Sequence, residues 1–343
     1  MNTSARLPVP GFYQPERFDQ VWRVPYQERA QQARVYAREH GINPAAADQV
    51  RVELVLIDVQ NTFCLPDFAL FVGGRSGTGA VDDNRRLSRF IYQNLDRITG
   101  ITATMDTHYP LQIFHPLFWV DRAGDHPPAN TIISHQDVVE GTWQVNPRAA
   151  QDLGIERGTL EEHLRRYTAE LEERDKFQLM IWFYHAQLGG IGHALVSGIE
   201  EAVFFHSVAR HTKGDYHLKG DHPLTEAYSA VGPEVKQGPQ GEGLGERSDF
   251  LIQKVQRSDA VLIAGQAQSH CVAWTVSDLL EQIRAEDPEL VSRVFLMEDC
   301  TSPVVIPEGV DFTSRAEAAF DRFRQAGMNV VRSSTPLSEM LIS

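Results

Sequence analysis

Apolar and polar positions follow two periods along this chain. "VELVLIDVQNTF" (52–63) opens with a near-continuous run of Val, Leu and Ile that ends on an acid. That pattern predicts a central parallel strand, buried on both faces. "VDDNRRLSRFIYQNLD" (81–96) switches to helical spacing, with Leu87, Phe90, Ile91 and Leu95 on one side. "ITGITATMDTHYP" (98–110) reads as a second strand, again closing on an acid. Further on, "SDAVLIAGQA" (258–267) predicts a third strand and "CVAWTVSDLLEQIRAE" (271–286) its helix. "SRVFLMEDC" (292–300) predicts a fourth strand, and "TSRAEAAFDRFRQAG" (313–327) a last helix leading into "MNVVRS".

Between these lie less regular stretches. Residues 1–50 carry Pro, Tyr and charge around a helical segment, "YQERAQQARVYAREHG" (26–41), and read as an extension packed on the main domain. Residues 116–180 combine a loop-like "DRAGDHPPANT" with a charged amphipathic helix, "GTLEEHLRRYTAELEERDK" (158–176). "ALVSGIEEAVFFHSVAR" (194–210) is mostly helical in pattern, and 211–248 is a polar Gly/Pro/His segment. Strands alternating with helices predict an α/β fold with a doubly wound, mainly parallel sheet. Such sheets bind ligands beyond the carboxyl ends of their strands, where Asp58, Asp106 and Cys271 all fall.

Bulk properties narrow the class. The 343 residues fit one large α/β domain with insertions. The net charge of −14 and pI near 5.4 argue against nucleic acid or an anionic membrane as partner, because both reward clustered Lys and Arg. No apolar run approaches the roughly 20 residues of a membrane span. The opening "MNTSARLPVPGFYQPERFDQ" lacks the apolar stretch of a signal peptide. Three cysteines make no disulfide framework. A soluble, reducing, cytoplasmic setting is the expectation.

Five segments could carry chemistry. Asp58, at the end of an apolar strand, is placed to act as a base, although an isolated Asp there also serves as a helix cap or turn former. In "DTHYPLQIFH", Asp106 and His108 stand two apart, so an extended strand points both to one side and offers an O/N pair to a divalent ion. His115 follows nearby. "WFYHAQLGGIGH" adds Trp182, His185 and His193, with His185 a candidate third ligand or a histidine simply packed at a turn. "HTKGDYHLKGDHPLTEAYSAV" holds Lys213 and Lys219, and a lysine beside a cysteine lowers the thiol pKa. In "GQAQSHCVAWT", Cys271 sits where a strand hands over to a helix, whose N-terminal N–H groups favour a thiolate and can bind an oxyanion. Free cysteines are otherwise mostly buried and inert, which suits Cys64 and Cys300.

In their order these segments resemble the isochorismatase-like cysteine hydrolase superfamily, and within it the nicotinamidase/pyrazinamidase branch. The resemblance covers roughly 50–115, 180–232 and 258–335. It implies a three-layer αβα sandwich with a mainly parallel sheet, with 51–343 as the hydrolase domain and an insertion at about 116–180. It implies a catalytic triad of Asp58, Lys219 and Cys271, selecting Lys219 over Lys213 because a Tyr-Ser pair follows. It places Phe63, Trp182 and Tyr228 in the substrate pocket. Asp106, His108 and His185 become ligands of one divalent metal ion, Zn²⁺ or else Fe²⁺ or Mn²⁺, with His115 as a candidate addition. The peptide four residues before the nucleophile is often cis in this family, here Gln266–Ala267, and with the N–H groups of Ala267 and Cys271 it would shape the oxyanion hole. The implied activity is hydrolysis of a small, nicotinamide-like amide to an acid and ammonia through a thioester, by a protein that forms a homo-oligomer. A metal-free isochorismatase-type or carbamoyl-amide hydrolase is the nearest alternative, and an inactive binding relative is another. Phe183 and Ala186 replace the usual Pro and Cys of the metal loop, and Ser269 the common Asp before the nucleophile. Substrate identity is therefore the open point.

Overall fold

Ten strands form in the computed structural model, which describes residues 6–173, 177–245, 247–306 and 308–341. They are β1 (Val52–Ile57), β2 (Gly100–Asp106), β3 (Trp119–Val120), β4 (Ile132–Ile133), β5 (Gln144–Val145), β6 (Leu179–Met180), β7 (Asp215–Lys219), β8 (Ala260–Gly265), β9 (Val294–Met297) and β10 (Asn329–Val331). The helices are α1 (Tyr26–Glu39), α2 (Asn61–Cys64), α3 (Gly79–Gln93), α4 (His135–Val139), α5 (Pro147–Leu153), α6 (Arg157–Glu173), α7 (Ser197–Arg210), α8 (Phe250–Arg257), α9 (Ala273–Glu286), α10 (Thr313–Gln325) and α11 (Leu337–Met340). The chain divides into two units. One holds 1–105, 194–217 and 249–343, and the other 106–193 and 218–248.

The first unit is built on a six-stranded sheet of order β10-β9-β8-β1-β2-β7. β1 pairs in parallel with β2 on one side and β8 on the other, and β9 and β10 continue the parallel set. Every residue of β1 and of β8 is buried, as their apolar runs, broken only by Glu53 in β1, lead one to expect. From β1 the chain moves outward to β2 and β7, then returns to β8 and moves outward the other way. Strand order therefore reverses between β1 and β8, and in sheets of this kind the crevice beyond the carboxyl ends at that reversal is where ligands bind.

Helix α3 turns Leu87, Phe90 and Ile91 into the core, as its spacing predicts. Residues of the N-terminal segment belong to the same core, with Phe18, Ala33 and Tyr36 buried among Phe90, Ile91 and Phe205. The Tyr36 and Phe205 rings meet edge to face at 5.7 Å, and Arg29 donates to Glu201 at 2.7 Å. A buried guanidinium, Arg210, is neutralised by Asp48, so neither charge is left unpaired in the interior. Two strands of this sheet exceed the sequence reading: β7, inside a segment whose polar composition concealed it, and β10, whose three residues are all only half-buried.

The second unit has two small antiparallel pairs, β3 with β5 and β4 with β6. Helix α6 forms where the amphipathic pattern predicts it, burying Leu160, Leu164, Tyr167 and Leu171 at successive turns. The final residues of that predicted helix, 174–176, lie outside the described residues, as do residues 1–5 of the N-terminal segment and 342–343 at the other end. Ser134 starts α4 with a reciprocal capping box to Asp137, and Pro147 and left-handed Gly154 bound α5. Among the described residues no helix is long and apolar enough to cross a membrane.

Candidate active site

The candidate residues form two groups, one within each unit. In the first unit, Ile57 of β1 is level with Gly265 of β8, so Asp58 and the turn 266–271 leave neighbouring strands at the same edge of the sheet. Asp58 has no exposed surface and takes a left-handed backbone conformation, φ 48°. Its N–H donates to Thr104 Oγ1 at 3.0 Å, and the Thr104 hydroxyl donates back to Asp58 Oδ1 at 2.6 Å. One hydroxyl thus holds both the backbone and the carboxylate. Thr102, Thr104 and Asp106 alternate along an otherwise apolar β2, and this period-2 polar row was the available sign that Thr104 belongs to the site.

Gly265 has φ 123°, and a Cβ there would meet the Ile57 carbonyl oxygen at 2.0 Å, so only glycine lets β8 run this close to β1. The Gln266–Ala267 peptide is cis. The Gln266 side chain donates to Asp83 Oδ2 at 2.8 Å and accepts from the Ser302 N–H at 3.2 Å. Burial lifts Asp83 to about 6, against the opposing hydrogen bonds of Ser302, Gln266 and Arg86. The Gln268 N–H donates to the Ser302 carbonyl, and Ser269 Oγ accepts from Val304 N–H at 3.1 Å. His270 is pushed down to about 3, first by burial and then by Arg315, and its ring stands edge-on to Phe312. The turn is therefore braced on both flanks.

Cys271 is buried, 7% exposed, in a wide π-type turn (Gln268–Val272) that feeds directly into α9. The sequence reading placed it at the start of the helix itself, and the structure puts it two residues before α9, inside the π-type turn. Burial raises the thiols of Cys64 and Cys300, which keeps both protonated. Phe63, on α2, is half-buried against the core.

In the second unit Asp106, His108 and His185 bring one donor atom each within 4.8 Å of one another, all three buried. His108 Nδ1 lies 2.9 Å from the Gly220 carbonyl and His185 Nδ1 2.8 Å from the Phe183 carbonyl. A carbonyl only accepts, so both Nδ1 atoms carry the proton and both Nε2 atoms face Asp106 Oδ2, at 2.8 and 3.7 Å. Lys219 Nζ donates to the other oxygen, Asp106 Oδ1, at 2.9 Å and to the Ala227 carbonyl at 2.8 Å. Burial alone would raise Asp106, but His108 and Lys219 hold it well below the carboxylate range. An ionised carboxylate with two imidazoles of fixed tautomer is a donor set that suits a divalent ion such as Zn²⁺.

His115 is fully buried, its Nδ1 3.0 Å from the Tyr109 carbonyl, and its ring centroid lies 5.9 and 5.6 Å from those of His108 and His185. Burial, then those two rings, push it down to about 3. It stands beside the three-residue group without joining it. His193 lies 2.9 Å from Thr107 Oγ1 instead.

Gly220 closes the cradle. Its φ is 79°, and a Cβ would lie 2.7 Å from Asp106 Oδ1 and 2.8 Å from His108 Cε1. Lys213, the other Lys-Gly lysine, is exposed in the first unit. Trp182 Nε1 donates to Glu226 Oε1 at 3.0 Å and lies 3.1 Å from the Tyr228 hydroxyl. Glu226 is buried and lifted to about 8 by that burial. Sequence reasoning missed Glu226: it stands in a polar loop segment where nothing marks one acid from another.

No protein-family model matches the chain, and no curated protein matches it. Solved structures do. The yeast nicotinamidase bound to the inhibitor nicotinaldehyde is 16% identical, with a TM-score of 0.48 over 82% of this chain and 99% of that one. A nicotinamidase/pyrazinamidase of Acinetobacter baumanii is 17% identical, with a TM-score of 0.46 over 84% of this chain and 98% of that one. The pyrazinamidase of Pyrococcus horikoshii in complex with zinc is 16% identical, with a TM-score of 0.41 over 82% and 98%. At these identities the likeness is one of fold, the α/β sheet with flanking helices described above.

Proposed function

We propose that the protein is a cysteine hydrolase of the isochorismatase-like superfamily, in its nicotinamidase-like branch, and that it cleaves a small amide to a carboxylic acid and ammonia. The observation that carries this reading lies within the first unit. A buried carboxylate, Asp58, and a buried thiol, Cys271, leave adjacent parallel strands at the point where strand order reverses. The motif order supports the same reading.

In this mechanism Asp58 takes the proton of Cys271, and the thiolate attacks the amide carbonyl. Lys219 supplies positive charge that favours the thiolate. The N–H groups of Ala267 and Cys271 bind the developing oxyanion. Asp58 returns the proton to the departing ammonia, and then activates the water that hydrolyses the thioester. Phe63, Trp182 and Tyr228 are the aromatic residues assigned to hold the substrate.

Asp106, His108 and His185 would hold a divalent metal, which supplies Lewis acidity and a point of attachment for a polar substrate atom. Carbonyl contacts at both Nδ1 atoms leave Nε2 as the atom each ring would present to it, with the ion taking the place of the proton between His108 Nε2 and Asp106 Oδ2. An ammonia-release screen over nicotinamide, pyrazinamide and aliphatic amides, with and without added Zn²⁺, Mn²⁺ or Fe²⁺, tests the reading. Turnover of at least one small amide is expected. No turnover of any under all metal conditions would contradict it.

A further inference from the structure

The lysine that this function leaves unused, Lys213, borders a second cavity, and we propose that this cavity is a binding site for a small phosphate ester bearing hydroxyl groups. It lies wholly within the first unit, has a volume of about 660 Å³, and opens where the strands begin: Arg51 and Glu53 at β1, Gly100 at β2, Asp215 at β7 and Ser258 before β8. Asp58 and Cys271 lie at the opposite ends of the same strands, a strand length of roughly 20 Å away. The volume falls in the range of small-ligand sites, about 300–1,000 Å³.

Two independent features point to the ligand. The first is charge. Arg51, Lys213 and Arg257 line the cavity, and among the described residues none of their side chains forms an ion pair or hydrogen bond. With Lys254 they make four cations against two acids, Glu53 and Asp215, around one hollow in a chain of net charge −14, and that excess suits an anion with several oxygens.

The second is a buried acceptor. Glu53 lies within β1, 8% exposed, where an apolar residue would be expected. Its Oε2 accepts from Lys254 Nζ at 3.2 Å, and that ammonium also reaches Asp215 Oδ2 at 3.1 Å. Among the described residues no group donates to Glu53 Oε1. Space for the carboxylate exists because its strand partner is Gly100: a Cβ there would sit 2.6 Å from Oε1. That oxygen borders the cavity, where a ligand hydroxyl can donate to it. Phe250, stacked on His217 at 4.0 Å, adds an aromatic wall. Phosphate oxygens would meet the cations while hydroxyls reach Glu53.

Isothermal titration of the full chain with AMP, ribose 5-phosphate and inorganic phosphate tests this. The phosphate esters are expected to bind saturably and more tightly than inorganic phosphate. Their affinity should fall at least tenfold in Arg51→Ala/Arg257→Ala and severalfold in Lys213→Ala. Glu53→Gln should narrow the gap between ester and phosphate. The three cations are surface residues, and an unchanged melting temperature would confirm that their variants are folded. Absence of saturable ester binding, esters binding no better than phosphate, or full binding by the double arginine variant would each overturn the proposal. These binding readouts are independent of amide turnover.

Discussion

Lys219 and Asp106 form a buried ion pair, Nζ to Oδ1 at 2.9 Å, on the carboxylate whose other oxygen faces His108 and His185. The same acid thus serves a cation and an imidazole pair. Removing either partner leaves the other charge stranded in the interior, which typically costs about 3–5 kcal/mol. Lys219→Met and Asp106→Asn should each lower the melting temperature, and the double variant should lose less than their sum. A thermodynamic cycle is expected to give a coupling of about 1–3 kcal/mol. Strict additivity would mean that the pair contributes nothing as a pair.

Metal content follows from the same geometry. Asp106→Ala combined with His185→Ala removes two of three donors and should reduce bound Zn²⁺ to less than about a tenth of an equivalent after dialysis. Elemental analysis reads this directly. A full equivalent retained by the double variant rules these ligands out.

Gly220 should accept no side chain. Gly220→Ala would force a Cβ against Asp106 Oδ1 and His108 Cε1 while also straining a backbone at φ 79°. The expected result is metal affinity weakened at least tenfold, with the circular dichroism spectrum unchanged. Wild-type affinity would show that the cradle has more slack than its contacts indicate.

Glu226 makes stability depend on pH. In the folded protein burial holds its proton to about pH 8, whereas an unfolded glutamate releases it near 4.5. Between those values the native state binds more protons, so the contribution is full below 4.5 and is lost as pH rises through 8. Glu226→Gln keeps a neutral group beside Trp182 and should flatten the fall in melting temperature across that window. An identical pH profile in wild type and variant would remove Glu226 from this role.

His206 acts with the opposite sign. Burial, with Arg210 adding, pushes it down to about 4, and its Nε2 lies 2.8 Å from the Ile98 carbonyl. Its contribution is present above 6.5 and is lost as pH falls through 4. His206→Gln should therefore lessen acid destabilisation between those values. A variant as acid-labile as wild type would locate the effect elsewhere.

Much of this was legible in the chain. A near-continuous apolar run marked β1 and a continuous one β8, because strands buried on both faces need no alternation. The acids that close β1 and β2, and the cysteine after β8, marked the residues on which the proposed chemistry rests. What stayed hidden depends on tertiary contact. β7 carries Tyr216 and Leu218 outward at a sheet edge within a polar stretch, so its pattern resembles a loop. Glu226 gains its character from burial beside Trp182, and Glu53 from a glycine 47 positions away that leaves it room. Lys213 and Lys219 look alike as Lys-Gly pairs; the resemblance selects Lys219 by the Tyr-Ser pair that follows, and in the folded chain Lys219 is buried and Lys213 exposed.

The central claim is that Cys271 is the nucleophile of an amide hydrolase. It is tested most directly by ammonia release from the best amide substrate, comparing wild type with Cys271→Ala at equal metal content. Turnover should fall by at least about 10³-fold, with melting temperature and bound metal little changed. A Cys271→Ala protein that still releases ammonia at a rate comparable to wild type would contradict the account.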